Sequence, residues 1–341
     1  MCETDGPFVA LASTHLPASN TRSKYSQPIR LQPIDSLEVT VLVDNAVDIF
    51  LPSDETTKRP RLAWDWSEKR QLIAEHGYSV LLTVRRNNES RSVLYDAGLS
   101  QEAALHNLDV LGLDLKQVEA MVLSHGHADH HGGLEGMLRR IGRRNLPFIL
   151  HPDAWQDRKI VFPTGTEIHL PPPNRKTVED REVTILEERG PTLLLDGMVL
   201  VSGQVDRVTG FEKGFPIHHV RHNGAWEPDP WIWDDQGIIC HVKGRGLVVV
   251  SSCSHSGVVN VLKNAQRLTG VDRIQAFIGG LHLTGGIFEK IIPETVEQLN
   301  ELAPEFIVPG HCTGWKATHQ IARMLPSSYV PTSVGTQMFF H

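Results

Sequence analysis

His125-Gly126-His127-Ala128-Asp129-His130 sets four potential metal ligands within six residues, directly after the apolar run Ala120-Met121-Val122-Leu123. Imidazole and carboxylate suit zinc, iron or manganese, and a tight turn at a strand end can present such groups to two neighbouring ions. In an extended segment His125 and His127 point the same way, toward one ion, and Asp129 and His130 then reach for a second. Gly132-Gly133 lets the backbone close around the site before a helical stretch from Leu134 to Arg140. The competing reading, a surface histidine tract with adventitious affinity, is disfavoured by the motif's specificity.

Three later segments repeat the arrangement of an apolar run delivering a histidine. Gly246 to Ser251 leads into Ser252-Cys253-Ser254-His255-Ser256-Gly257, Ala276 to Ile278 into Gly279-Gly280-Leu281-His282, and Phe306 to Val308 into Pro309-Gly310-His311-Cys312-Thr313-Gly314. Upstream, Val93-Leu94-Tyr95 ends in Asp96-Ala97-Gly98.

The H-x-H-x-D-H pattern and the order of these segments resemble the metallo-β-lactamase superfamily. Together with Leu42-Val43-Asp44-Asn45, Ala74-Glu75-His76-Gly77 and Asp234-Asp235-Gln236, they are similar to the branch named for 7,8-dihydropterin-6-methyl-4-(β-D-ribofuranosyl)aminobenzene-5′-phosphate synthase. The resemblance runs from about Leu37 to Phe340. It implies an α/β fold, the four-layer αββα sandwich, with two divalent metal ions as cofactors, zinc first and manganese or iron as alternatives. It also implies that Asp96 sits behind the ligands and orients an imidazole, the alternative being a turn or cap aspartate. His311 would supply the last ligand to the second ion. Two departures limit the transfer. Ser202-Gly203-Gln204-Val205-Asp206-Arg207 lacks the histidine that many members carry there, and His255, at a strand end beside Gly257, is the replacement. The bridging aspartate of the usual Gly-Asp pair is absent too, and Ser252-Cys253 stands in its place. Cys253 is either a thiolate ligand or a small buried residue. His282 is a ligand, a substrate contact or a buried hydrogen-bonded histidine.

The resulting assignment gives His125, His127 and His255 to one ion and Asp129, His130 and His311 to the other. The expected chemistry is metal-assisted hydrolysis, in which a metal-bound hydroxide attacks an ester, lactone, amide or phosphoester. The catalytic candidates are Asp129, to orient the nucleophile, and His282, to stabilise an oxyanion or donate to a leaving group. Two alternatives stay open: transfer of a dihydropterin from its diphosphate with formation of a C–N bond, in which Trp231 or Trp233 would stack on a flat ring, and iron-dependent oxygen chemistry.

Composition fits this reading. The 341 residues are 40% hydrophobic, enough for a sizeable core. With 33 basic against 40 acidic residues the net charge is −7, which argues against a nucleic-acid partner and leaves a small-molecule substrate. Arg139-Arg140 and Arg143-Arg144 read as a solvated face. Four cysteines, at 2, 240, 253 and 312, make no disulfide framework, so a reducing, cytoplasmic location is expected, and no apolar run is long enough to span a membrane. Residues 1–36, rich in Ser, Thr, Pro and Ala, read as a flexible extension, and 37–341 as a single domain.

Strand-like runs at Val39–Val43, Val80–Arg85, Val93–Tyr95, Met121–Leu123 and Phe148–Leu150 form an expected first half. Val183–Leu186, Val199–Ser202, Ile238–Val242, Leu247–Val250, Gln275–Ile278, Ile307–Val308 and Gln337–Phe340 form the second. Helical patterns fall at Gln101–Leu111, Val258–Leu268, Glu294–Leu302 and Ala317–Met324. The stretch 162–233 reads as a loop-rich insertion that lids the centre. Its His218, His219 and His222 are candidate substrate contacts, with surface loop histidines the favoured reading.

Overall fold

Alternation along the strands decides the layers. In Ser79–Arg86, Val80, Leu82 and Val84 turn to one side and Leu81 to the other; in Glu89–Tyr95, Val93 and Tyr95 oppose Leu94 in the same way. A period of two with both faces apolar is what a sheet covered on both sides requires. The chain, described here from a computed structural model covering residues 27–60, 67 and 70–341, meets that requirement with two large sheets. The first has eight strands in the order Thr57–Lys58, Gln337–Phe340, Ser36–Val43, Ser79–Arg86, Glu89–Tyr95, Val118–Val122, Pro147–Leu150 and Thr184–Glu187. The second has six, in the order Thr192–Leu194, Val199–Val201, Ile238–Val242, Gly246–Ser251, Ile274–Gly279 and Phe306–Pro309.

Their inner faces share one core, in which Val39, Val80, Val93 and Val122 meet Val201, Val248, Val250 and Ile278. Outside the first sheet, Leu94, Met121 and Phe148 pack with Ala104 and Leu108 of helix Gln101–Leu111 and Met137 and Ile141 of helix Leu134–Ile141. Outside the second, Val249, Phe277 and Ile307 pack with residues of helices Val258–Thr269, Ile292–Leu302 and Trp315–Met324. The fold is therefore the expected four-layer αββα sandwich. Among the described residues no helix is long and apolar enough to cross a membrane.

Three expectations are corrected. Residues 1–26 lie outside the described part, but 27–36 are not a free extension. Leu31 and Ile34 are buried, and Ile29, Gln32 and Ile34 donate backbone hydrogen bonds to Leu268, Gly197 and His241, because two apolar side chains among polar neighbours suffice to seat this segment on the second sheet. Thr184–Glu187 and Gln337–Phe340, placed in the second half, belong to the first sheet, where they pair with Pro147–Leu150 and Ser36–Val43. Chain order is not sheet order, and the register is set by which edge is open. The 162–233 stretch is less irregular than its composition implies. It holds Glu167–Leu170, His218–His222 and Ala225–Pro228, which with Arg158–Val161 make a four-stranded antiparallel sheet. Of the arginine pairs, Arg140 is bonded to Asp109 and Arg144 to Glu182, as a solvated face would be.

What matters for the site is where the parallel strands end. Glu89–Tyr95 and Val118–Val122 run parallel in the first sheet, and Gly246–Ser251, Ile274–Gly279 and Phe306–Pro309 in the second. Their carboxyl ends deliver Asp96, His125, Cys253, His282 and His311 to one edge of the sandwich. Asp96, Ser254, His282 and His311 have φ of 60°, 53°, 46° and 47°. Left-handed backbone at non-glycine residues costs on the order of 1–3 kcal/mol each and persists where surroundings enforce it, typically around functional sites.

Candidate metal centre

The geometry can be built outward from Asp96, whose side chain is fully buried. Its carboxylate accepts hydrogen bonds from the Ser124 N–H (2.7 Å), Ser124 Oγ (2.7 Å), Ser252 Oγ (2.5 Å) and His130 Nδ1 (2.7 Å). Because the Ser124 hydroxyl proton is spent on Asp96, Ser124 Oγ accepts from His125 Nδ1 at 2.8 Å. The Nδ1 side of both His125 and His130 is thereby engaged, and Nε2 of each turns inward.

A second relay fixes His127. His218 Nδ1 donates to the Asp229 carbonyl (3.0 Å), so His218 Nε2 accepts from His127 Nε2 at 3.0 Å, and the His127 Nδ1 lone pair faces His125 Nε2 across 3.1 Å. His255 Nε2 lies 3.2 Å from the same His125 atom. Burial, reinforced by the neighbouring imidazoles, holds His125, His127 and His255 well below the ordinary histidine pKa, so all three are neutral. Two lone pairs facing each other at 3.1 Å in a buried pocket are repulsive unless a cation sits between them, which is how these residues fit a metal ion.

The other half follows the same logic. Asn45 Nδ2 donates to His76 Nδ1 (3.1 Å) and to the His311 carbonyl (3.0 Å), and its Oδ1 accepts from His311 Nδ1 (3.2 Å). His311 Nε2 is left as a lone pair, buried without a hydrogen-bond partner, 3.3 Å from Asp129 Oδ2. That carboxylate is also 3.5 Å from His130 Nε2 and 3.6 Å from His76 Nε2. Burial opposes charge on Asp129, but His130 and His311 hold its carboxyl well below the usual range. His130, pushed down by burial, is carried up to about 10 by Asp129 and Asp96, so the Nε2 proton it holds in the absence of a cation is the one a bound cation would replace. Asp44, whose carboxyl is raised by burial, seats His311 by accepting its N–H at 2.8 Å.

The turn itself is held from below. Asp234 Oδ2 accepts the Gly126 N–H at 2.8 Å and is paired with Arg158 at 2.7 and 3.0 Å. Gly126 passes so close that a Cβ there would lie 2.3 Å from the Ala154 carbonyl oxygen, and one at Gly132 would lie 1.9 Å from that of Leu99. These contacts explain why glycine occupies both positions. Gln236 ties the two sheets together, its side chain donating to the Leu123 carbonyl while its own carbonyl accepts from Tyr95 Oη. Behind His255, Glu212 accepts the N–H groups of Val259 and Asn260, the first turn of helix Val258–Thr269, and burial pushes its carboxyl up to about 7.

All six residues expected to bind metal are brought together. His125, His127 and His255 place donor atoms within 4.8 Å of one another, and so do His76, Asp129 and His311. His282 stands at the edge of a small cleft with Glu212 and Phe288, its ring 4.2 Å from that of His255 and 4.5 Å from that of Phe288. His218 corrects the surface reading: it is fully buried against His127, whereas His219 is half-buried and His222 exposed. The pairing spans 91 positions, and nothing local in His218-His219-Val220-Arg221-His222 distinguishes the first from the last. His76, Asn45 and Ser124 were likewise missed as partners, although their segments were noticed. Phe215 and Phe288 lie against His282 and Tyr78 against His311; Trp233 instead lies under the Arg207 guanidinium.

Replacing Asp96 with Asn keeps the shape but removes charge and one acceptor. Metal affinity, measured by competition with a chromogenic chelator, is expected to fall by roughly 10–100-fold, the usual cost of losing such a supporting partner; unchanged affinity would show that Asp96 serves the fold alone.

This arrangement defines a metal-dependent enzyme scaffold, and the sequence comparisons agree: the profile of the metallo-beta-lactamase superfamily matches residues 73–311. The chain belongs to that superfamily. It is 32% identical to the 7,8-dihydropterin-6-methyl-4-(beta-D-ribofuranosyl)-aminobenzene-5'-phosphate synthase of Methanocaldococcus jannaschii, over 72% of this chain and 83% of that protein. An uncharacterized protein of the same organism is 27% identical over 78% of this chain and 94% of its own length. Among solved structures, a metal-dependent hydrolase of the beta-lactamase superfamily superposes with a TM-score of 0.67 at 25% identity, covering 89% of this chain and 98% of that one.

Proposed function

We propose that the protein is a metal-dependent hydrolase whose cofactors are two divalent cations, zinc foremost. His125, His127 and His255 would hold one, and Asp129, His130 and His311 the other. The observation that carries this reading is the set of inward-facing ring nitrogens of His125, His127, His130 and His311, each ring fixed by a hydrogen bond on its far side. Bound there, divalent cations supply Lewis acidity and lower the pKa of coordinated water from about 16 to roughly 7. The chain's own residues do the rest. Asp129 Oδ2, facing His130, His311 and His76, is placed to accept a hydrogen bond from the attacking water and orient it. His282 Nδ1, a buried atom without a partner in the described structure, is placed to donate to a developing oxyanion or leaving group. Phe215 and Phe288 exclude water from that side. The substrate would be a small ester, lactone, amide or phosphoester.

The identity to a protein named as a synthase supports a second reading, C–N bond formation on a dihydropterin diphosphate, in which Phe215 and Phe288 rather than the tryptophans would border a flat ring. Elemental analysis with a hydrolysis panel, before and after chelation, separates the readings. About two zinc ions per chain and chelator-sensitive turnover are expected. Two metals with no hydrolysis but with product from a pterin diphosphate and an arylamine would replace the hydrolase by the synthase, and a single iron with oxygen consumption would replace both.

A further inference from the structure

Resting on the two-cation reading, we infer that the Cys253 thiolate is the donor shared by the two halves of the centre, with Cys312 its hydrogen-bonding partner and not a ligand. Cys253 Sγ belongs to three groups whose donor atoms all lie within 4.8 Å of one another: with His125 and His130, with His255 and His282, and with His311 and Cys312. Each other donor in these groups and in the two described above belongs to at most two. The sulfur thus occupies the middle of the constellation, between the histidines assigned to the first ion and those assigned to the second.

Hydrogen-bond bookkeeping points the same way. His130 spends its Nδ1 proton on Asp96, so with a cation bound the Nε2 that faces Cys253 Sγ at 3.3 Å would be a lone pair. Cys312 Sγ is 3.4 Å from Cys253 Sγ and 3.7 Å from the Cys253 carbonyl, with the His282 ring also within hydrogen-bonding reach, so the Cys312 thiol can donate to Cys253. A neutral Cys253 thiol would satisfy His130 but leave the buried His311 Nε2 with nothing. A thiolate, with the cations it draws in, accounts for the sulfur, for His130 and for His311 together, since coordination deprotonates a thiol outright. Charge also balances better: Asp129 alone gives one anion to two dications, and Cys253 adds the second. Gly280 leaves room for the Cys312 sulfur, because a Cβ there would sit 2.7 Å from Cys312 Sγ. A soft thiolate in this position biases the centre toward zinc or cobalt and away from manganese.

The test is cobalt substitution of the full-length protein. Wild type and Cys312→Ala, loaded with Co(II), are expected to show an intense near-ultraviolet sulfur-to-cobalt charge-transfer band, and Cys253→Ser to lack it. Cys253→Asp, which restores an anionic oxygen donor, is expected to bind the same number of cobalt ions with only the weak visible bands, and to lower the zinc-over-manganese affinity ratio by about 10-fold or more. Should Cys253→Ser fail to fold, the wild-type band and the Cys253→Asp ratio still decide. Cobalt bound by wild type without the band, or a band that survives in Cys253→Asp or vanishes in Cys312→Ala, overturns the thiolate while leaving the hydrolase reading intact. A wild-type chain that binds no cobalt removes both.

Discussion

Truncating His127 to alanine is expected to abolish one bound metal and reduce kcat/KM by more than the roughly 10–100-fold that loss of a supporting partner costs. The ring does two things at once. Its Nδ1 faces His125 Nε2, and its Nε2 holds His218, so the variant loses an inward donor and leaves a buried imidazole nitrogen unsatisfied. His218→Ala removes only the outer member of that relay and should stay within the 10–100-fold range. Metal content by elemental analysis and kcat/KM on the best panel substrate check the pair. Full metal occupancy and full rate in His127→Ala would overturn the ligand assignment, and equal losses in both variants would mean that the His218 contact, not the His127 donor, governs the site.

The second large effect lies beneath the turn. Arg158→Met is expected to destabilise the fold by about 3–5 kcal/mol, the usual result of stripping one partner from a buried ion pair. The guanidinium is 1% exposed and Asp234 fully buried, so the abandoned carboxylate has only the Gly126 N–H left besides its neighbours' fields. Replacing both, Arg158→Met with Asp234→Leu, should recover much of that stability, because apolar packing replaces a desolvated pair at little net cost. It should not recover activity, since Gly126 loses its acceptor and the His125-Gly126-His127 turn its anchor. Denaturant midpoints and metal affinity separate the two effects. The pH dependence has a definite sign. Burial alone would raise the Asp234 carboxyl, but Arg158 and His151 hold it below its ordinary value. Its contribution is therefore complete above about pH 4, the unfolded value, and lost as the pH falls through the folded one. The gap between wild type and Arg158→Met should narrow in acid; a gap that widened would show that the pair is not the source.

How much of this was legible in advance differs by element. The helices Gln101–Leu111 and Val258–Thr269 and the strands Ile238–Val242 and Gly246–Ser251 match runs read from periodicity, because an amphipathic stripe or a doubly buried strand leaves a local signature. Thr184–Glu187 and Gln337–Phe340 were recognised as strands and assigned to the wrong sheet, since edge pairing depends on which neighbour is already in place. In the candidate centre, the histidines announced themselves by spacing within a turn or by position at a strand end. Of their hydrogen-bonding partners, Asp96 was read in advance through the resemblance, and the others were not.

The sequence by itself determined the four-layer sandwich and the group of side chains that carry its chemistry. A strand's alternation and a six-residue ligand turn are encoded over distances of a few residues, where backbone geometry leaves few options. Only the tertiary structure decided which nitrogen of each ring faces inward, that His218 is buried against His127, and that Cys253 stands among His125, His130, His255 and His311. Those facts depend mostly on contacts between segments 34 to 266 positions apart. The position of a proton on an imidazole is set by the partner the fold brings to it, and except for Ser124 beside His125 that partner lies far along the chain.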